Sequence, residues 1–289
     1  MNMDIKTNCE LPLCLMEKNN ELNNYDFVLF HLYKENKQYK EYFLNQREQN
    51  PDRLMILDNS AYEFYVKGET LNLYEFYCAI VELKPDIYIL PDTLMNKQKT
   101  LEDTKSFYKE YGLNIVLKAG SLPMAVLQGN TPEELLECAK EYEDMGISHI
   151  AIPFHNKFFL DLGNEIDEVG KMAFCKWHGI NPTLDTHYAM GRVVFLSKYL
   201  YDLSCFNHIH LLGSHDPYEK AIYGMWRMQL KDGIMTMDTG YPVKCGIQGI
   251  MLGREKTKPD VIIDEFLEED LSQNIKECIE HNVAVFRDL

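Results

Sequence analysis

Short apolar runs recur along this chain with helical segments between them, and this alternation constrains the fold more than any other feature. Phe27–Leu32, Leu54–Leu57, Ile87–Leu90, Met124–Leu127, His149–Ile152, His208–Leu212 and Ile234–Met237 read as buried strands. Strands that alternate with helices run parallel and are covered on both faces, so they appear as near-continuous apolar stretches. The expectation is an α/β fold, a (β/α)8 TIM-like barrel, with residues 1–289 as one domain. Barrel closure needs an eighth strand, for which Val261–Ile263 and Val283–Phe286 are the candidates; Ile115–Leu117 also looks strand-like. Between the strands, the segment from Thr131 predicts a helix with Thr131 as N-cap, Pro132 in the first turn and Glu134 at the capping-box position. The stretch from Asn156 to Asn207 exceeds what one βα connection needs and predicts a helical insertion.

In such a barrel the chemistry gathers where the strands end. Four of the runs end in polar groups. Ile234–Met237 runs into Asp238-Thr-Gly-Tyr-Pro242-Val-Lys244-Cys-Gly246-Ile-Gln-Gly249, read as an acid followed by a glycine-rich loop. The others are Leu57-Asp58-Asn-Ser60-Ala-Tyr62-Glu63, Ile89-Leu-Pro91-Asp92 and Val126-Leu-Gln128-Gly129. Asp58 and Asp92 have a plainer role open to them, capping the helices that follow. For Tyr62 and Leu212 the plainer role is core packing.

Taken in order, these segments resemble the tRNA-guanine transglycosylase family. The Asp238 segment fits that family's nucleophile loop: acid, three residues, Pro, one residue, base, one residue, Gly, two residues, Gly. Asp58 to Glu63 fits its acid-Ser-Gly-Gly-aromatic-Gln turn, with Asn59, Ser60, Ala61 and Glu63 as departures. His210-Leu-Leu212-Gly213-Ser-His-Asp-Pro217 fits its aromatic-Leu-Met-Gly-x-Gly-x-Pro turn. The chain is far shorter than the bacterial tRNA enzymes and has no Cys-x-Cys-x2-Cys cluster followed by His, so no zinc subdomain and no cofactor are expected. Short relatives without zinc are similar to phage-encoded DNA transglycosylases.

The resemblance implies base exchange: guanine leaves a nucleic acid and a free 7-deazaguanine base, such as 7-cyano-7-deazaguanine, takes its place. It implies Asp238 as the nucleophile at C1′ and Asp58 as the general acid/base. A flipped guanine would lie between Tyr62 and Leu212, with Gly213 in the same turn. Asp92 would accept from the base N1–H and 2-amino groups, Gln128 would donate to O6 beside the Gly129 backbone, and the Ala151-Ile152 backbone would lie near position 7. Glu63 stands where the family has an amide that touches the base. Lys244, in place of the family's Arg, would hold a phosphate or support Asp238. Arg254, Lys256 and Lys258 follow as a basic stretch placed to meet phosphates.

DNA is favoured over tRNA on size and the absent zinc motif. The net charge of −16 means that a nucleic-acid surface must be a local basic face or come from a basic protein partner; a homo-oligomer is left open. The eight cysteines are scattered without metal-ligand spacing, which argues for reduced thiols in a cytoplasm; Cys245 reads as a filler rather than a nucleophile. No apolar run reaches the length of a membrane span, and the N-terminus lacks the pattern of a secretory leader. Two readings from other classes compete. A metal-dependent barrel hydrolase would use His208 and His210 with His155, Asp185 and His187. A non-catalytic base-binding protein would need neither Asp58 nor Asp238.

Overall fold

The computed structural model describes residues 5–154, 156–165, 184–199, 201–216, 219–220, 223, 233–252 and 270–288. It is a TIM-like α/β barrel of eight parallel strands with flanking helices. The strands are β1 (Lys6–Cys9), β2 (Asp26–Leu29), β3 (Met55–Asp58), β4 (Ile87–Ile89), β5 (Leu122–Val126), β6 (His149–Pro153), β7 (His208–Leu212) and β8 (Ile234–Thr239). Their order in the sheet is β1-β8-β7-β6-β5-β4-β3-β2. Among the described residues no helix is long and apolar enough to cross a membrane.

Two compact units make up the chain. One comprises Tyr25–Pro153 and Cys205–His210. Its strands are apolar because both faces are covered: Ile56, Leu57, Ile89, Ala125, Val126 and Ile150 are all fully buried. Register sets Leu29 beside Asp58, Ile89 beside Met124 and Val126 beside Ala151. An aromatic layer supports this sheet, with Phe30 against Phe76 at 5.0 Å and Phe76 against Phe107 at 5.8 Å between ring centroids. The helix Pro132–Asp144 begins as expected, with the Thr131 hydroxyl accepting the Glu134 N–H at 3.2 Å. The Glu134 carboxylate reaches back one residue further than a capping box would, to the Asn130 N–H at 2.6 Å.

The other unit comprises Met1–Asn24, Phe154–Ser204 and Leu211–Leu289. Here β1 pairs with β8, setting Asn8 beside Asp238. The predicted insertion is present as the helices Lys157–Glu165 and Leu184–Tyr199. Their backbones nearly touch. A Cβ added at Gly191 would lie 1.7 Å from the Phe159 carbonyl oxygen, and one at Gly163 would lie 2.1 Å from that of His187. Only glycine fits such a crossing.

Several boundaries differ from the sequence expectation. The first predicted strand stops at Leu29, and Phe30–Glu35 turns into a helix that buries His31. Ile115–Leu117 lies in the last turns of the helix Lys97–Ala119, which Asn96 caps and Gly120 ends at φ +71°. Val283–Phe286 belongs to the helix Gln273–Asp288, and Val261–Ile263 falls outside the described residues. The eighth strand is Lys6–Cys9, at the opposite end of the sequence. It has no apolar run because its polar groups are satisfied locally. The Asn24 Oδ1 accepts the Thr7 N–H at 3.0 Å, and the Asn23 side chain bonds both the N–H and the carbonyl of Cys9 at 2.7 and 2.9 Å. Two asparagine side chains thus do for β1 what a neighbouring strand would do.

Candidate functional site

In the unit beginning at Tyr25, Asp58 ends β3 and is buried. Its Oδ2 accepts the Ser60 N–H at 2.7 Å, which ties the carboxylate to the entry of the helix Ala61–Lys67. Asp58 is not the cap of that helix: the N-cap is Ser60, without a side-chain cap bond, and Asp58 closes the turn just before it. Ser60 adopts φ +58°, a left-handed conformation that costs a non-glycine residue about 1–2 kcal/mol. Buried His31 holds it there: its N–H donates to Ser60 Oγ at 3.1 Å, and its Nδ1 lies 2.9 Å from the same oxygen.

Asp92 follows β4, and each of its carboxylate oxygens receives a side-chain amide. Asn59 Nδ2 donates to Oδ1 at 2.8 Å and Gln128 Nε2 donates to Oδ2 at 2.7 Å. Both amides are themselves fixed. Asn59 also donates to the Leu90 carbonyl and accepts the Ala61 N–H, each at 2.7 Å, while Gln128 Oε1 accepts the Met95 N–H at 2.9 Å. Two donors leave roughly half of the four acceptor directions of the carboxylate for something else. Loss of surrounding water raises the Asp92 pKa, and the bonds from Asn59 and Gln128 work against that rise without cancelling it. Helix capping does not describe Asp92: the caps of the following helix come from Asn96.

Other candidates in this unit have varied settings. Tyr62 is 57% exposed, so its ring is not core packing. Glu63 is half-buried on the same short helix. Gly129 is a packing requirement, since a Cβ there would lie 2.6 Å from Glu134 Cβ. Ala151 and Ile152 are fully buried in β6, and the Ala151 carbonyl accepts the Leu127 N–H at 2.9 Å.

In the unit containing β8, Asp238 is 4% exposed. Its Oδ1 accepts the Gly213 N–H at 2.9 Å, and its backbone carbonyl accepts the Ser214 N–H at 2.9 Å. Leu212, Gly213 and Asp238, separate in sequence, are thus joined. Gly213 sits at φ +61°, which suits glycine. Behind this turn, Arg192 and Glu219 form a fully buried, two-pronged ion pair, Nε to Oε1 at 2.7 Å and Nη2 to Oε2 at 2.8 Å. Arg192 Nη1 also donates to the Leu212 carbonyl at 2.9 Å. Burial works against the Arg192 charge, but Glu219 and, further off, Tyr223 and Asp238 more than offset it, and its pKa is raised.

The segment after Asp238 is a helix, Tyr241–Ile247, rather than the expected glycine-rich loop. Pro242 suits its first turn, and of Gly240, Gly246 and Gly249 only Gly249 takes a positive φ. Lys244 lies on this helix, half-buried. Arg254, Lys256 and Lys258 lie outside the described residues. Cys245 packs with Ile250 and Leu252, and burial pushes its thiol up to about 11, as suits a filler and not a nucleophile.

Among the described residues no group of three or more His, Cys, Asp or Glu side chains is gathered as for a metal ion. His208 meets His149 edge-on at 5.7 Å, and His210 stacks on Phe27 at 5.1 Å. His155 and the Asp185 side chain lie outside the described residues. His31, Arg192 and Glu219 are residues that the sequence does not single out, and Asn59 stands out there only as a departure in the Asp58–Glu63 turn. No protein-family profile matches the chain, and comparison with curated proteins returns no match.

Proposed function

We propose that this protein is a base-exchange transglycosylase that replaces guanine in a nucleic acid, DNA in preference to tRNA, with a free 7-deazaguanine base. The observation that carries the reading is the state of Asp92. A carboxylate just past a strand end is held at both oxygens by carboxamides that are themselves fixed, and it retains acceptor directions. A purine that presents N1–H and a 2-amino group side by side offers two parallel donors, which one carboxylate accepts together. The second N–H of the Gln128 carboxamide suits O6 of the same edge.

The chemistry follows from the two remaining acids. The Asp238 carboxylate attacks C1′ as the C1′–N9 bond breaks, and the departing guanine takes a proton from Asp58. Asp58, now a carboxylate, takes the N9 proton of the incoming base, whose nitrogen displaces Asp238 from C1′. Burial of Asp238 and a backbone N–H on its Oδ1 fit a nucleophile that must keep one orientation. Tyr62 supplies an exposed ring for stacking on a flipped base. Lys244, half-buried on the helix Tyr241–Ile247, would hold a phosphate.

The test is incorporation of labelled guanine or 7-cyano-7-deazaguanine into duplex DNA and into tRNA, with Asp238→Asn alongside. Label enters DNA with the wild-type chain and does not enter with the variant. Label in tRNA alone would move the substrate and keep the chemistry. Label in neither, with no trapped covalent adduct, would overturn the reading.

A further inference from the structure

The Arg192–Glu219 pair lies outside every role assigned so far, yet it is among the most demanding arrangements in the molecule. Both side chains are fully buried. Removing two charges from water costs several kcal/mol each, and apolar residues of similar volume would commonly serve the fold as well or better. Stability alone is a poor account of such a pair. What distinguishes this one is where its remaining hydrogen bonds go.

Each partner grips the turn that follows β7. Arg192 spends its third nitrogen on the Leu212 carbonyl at 2.9 Å, and Glu219 accepts the Ser214 hydroxyl at 2.6 Å and the Tyr223 hydroxyl at 3.2 Å. Between those grips lie the Gly213 and Ser214 N–H groups, which bond the Asp238 side chain and main chain. The Thr239 hydroxyl closes the assembly on the Ser214 carbonyl and in turn accepts the Tyr241 N–H at 3.0 Å. The Arg192 guanidinium also lies over the Phe154 ring, 5.0 Å from its centroid, which fixes its plane. A chain of contacts therefore runs Glu219, Arg192, Leu212, Gly213, Asp238.

We propose that Arg192 and Glu219 are positioning residues for Asp238: the buried pair braces the Leu212–Ser214 turn, and the turn holds the carboxylate in its attacking orientation. The catalytic half of this inference rests on Asp238 being the nucleophile. The mechanical half stands on the protein alone. Arg192 comes from the helical insertion, so that insertion contributes directly to the geometry at the end of β8.

The test uses Arg192→Met/Glu219→Gln, which removes both charges together; the carboxamide oxygen accepts one of the Ser214 and Tyr223 hydroxyls and its NH2 donates to the oxygen of the other, so the fold is retained. Amide hydrogen exchange at Gly213 and Ser214 accelerates about tenfold or more, while amides of β3 to β5 keep their protection. In the base-exchange assay kcat falls about 100-fold with the KM for free base unchanged. Arg192→Lys does not rescue kcat, because an ammonium cannot hold Glu219 and the Leu212 carbonyl in one plane. Unchanged protection at Gly213 and Ser214, wild-type kcat in the folded double variant, or full rescue by Lys each overturns the brace. If the wild-type chain itself shows no Asp238-dependent exchange, the nucleophile reading fails, and amide protection alone decides the brace.

Discussion

Asp92 and Asp238 are both carboxylates at strand ends, and they are held in opposite ways. Asp92 is gripped by the side chains of Asn59 and Gln128. Asp238 is gripped by a backbone N–H at Gly213, which moves only if the turn moves, and the turn is tied to a buried ion pair. A group held by side chains can be retuned by a single substitution with local effect. A group held by backbone transmits any change in its support to the main chain. The first arrangement suits recognition, where specificity is set by a few donors and acceptors; the second suits a reacting atom, where small displacements are costly.

This contrast breaks most sharply at Arg192. Arg192→Met alone leaves Glu219 buried without its partner and should cost about 3–5 kcal/mol, read from urea unfolding. A loss below about 1 kcal/mol, as for an exposed pair, would show that the pair is not the brace described. Near Asp92 the effects should be smaller and confined to base binding. Asn59→Ala removes one donor from the carboxylate and should weaken free-base binding roughly tenfold, with nucleic-acid binding little changed. Asp92→Ala should act in the same sense and further; equal losses for both ligands would sink the assignment of Asp92 to the base edge.

Acidity sharpens the comparison further. Because the folded-state pKa of Asp92 is raised, ionisation there costs stability. The contribution of the group is fully present below its unfolded pKa and is lost as pH rises through the folded one. The proposed base binding would need the ionised form and run the other way, failing on acidification at a higher pH than an ordinary aspartate would impose. Titrating free-base affinity should show this in the wild type and a flat profile in Asp92→Asn; identical profiles would assign the titration elsewhere. The smallest effect is expected from Tyr62→Phe, since stacking uses the ring. A large loss of exchange in that variant would mean that the hydroxyl takes part.

Much of the barrel was readable in the sequence because buried parallel strands are apolar almost throughout. Met55–Leu57, Ile87–Ile89 and Ile150–Ile152 carry that signal unaided. β1 does not, since Thr7 and Asn8 are buried polar residues, and the backbone of Thr7 and Cys9 relies on Asn24 and Asn23. Ile115–Leu117 misled because three apolar residues in a row fit either periodicity, and only Ile115 of the three is buried. At the site, the acids were legible as strand-end residues, but their supports were not. Asn59 meets Asp92 across 33 positions and Arg192 meets Glu219 across 27, separations that no local pattern records. Ser60 shows the physical side of a departure: it stands where the resembled family has glycine, takes the conformation that favours glycine, and is held there by His31.

The crossing of the two insertion helices has a consequence beyond its own packing. Gly191 immediately precedes Arg192, and the absence of a side chain there lets the helix Leu184–Tyr199 lie directly on the Phe159 carbonyl. The separation of two helix axes, set by two missing methyl groups, is thus a gauge against which the guanidinium is aligned. Through the brace, that gauge calibrates a carboxylate it never touches. Substitutions at Gly163 or Gly191 should therefore register as faults in reaction chemistry as well as in folding, which places heritable control of the site in residues that would never meet a substrate.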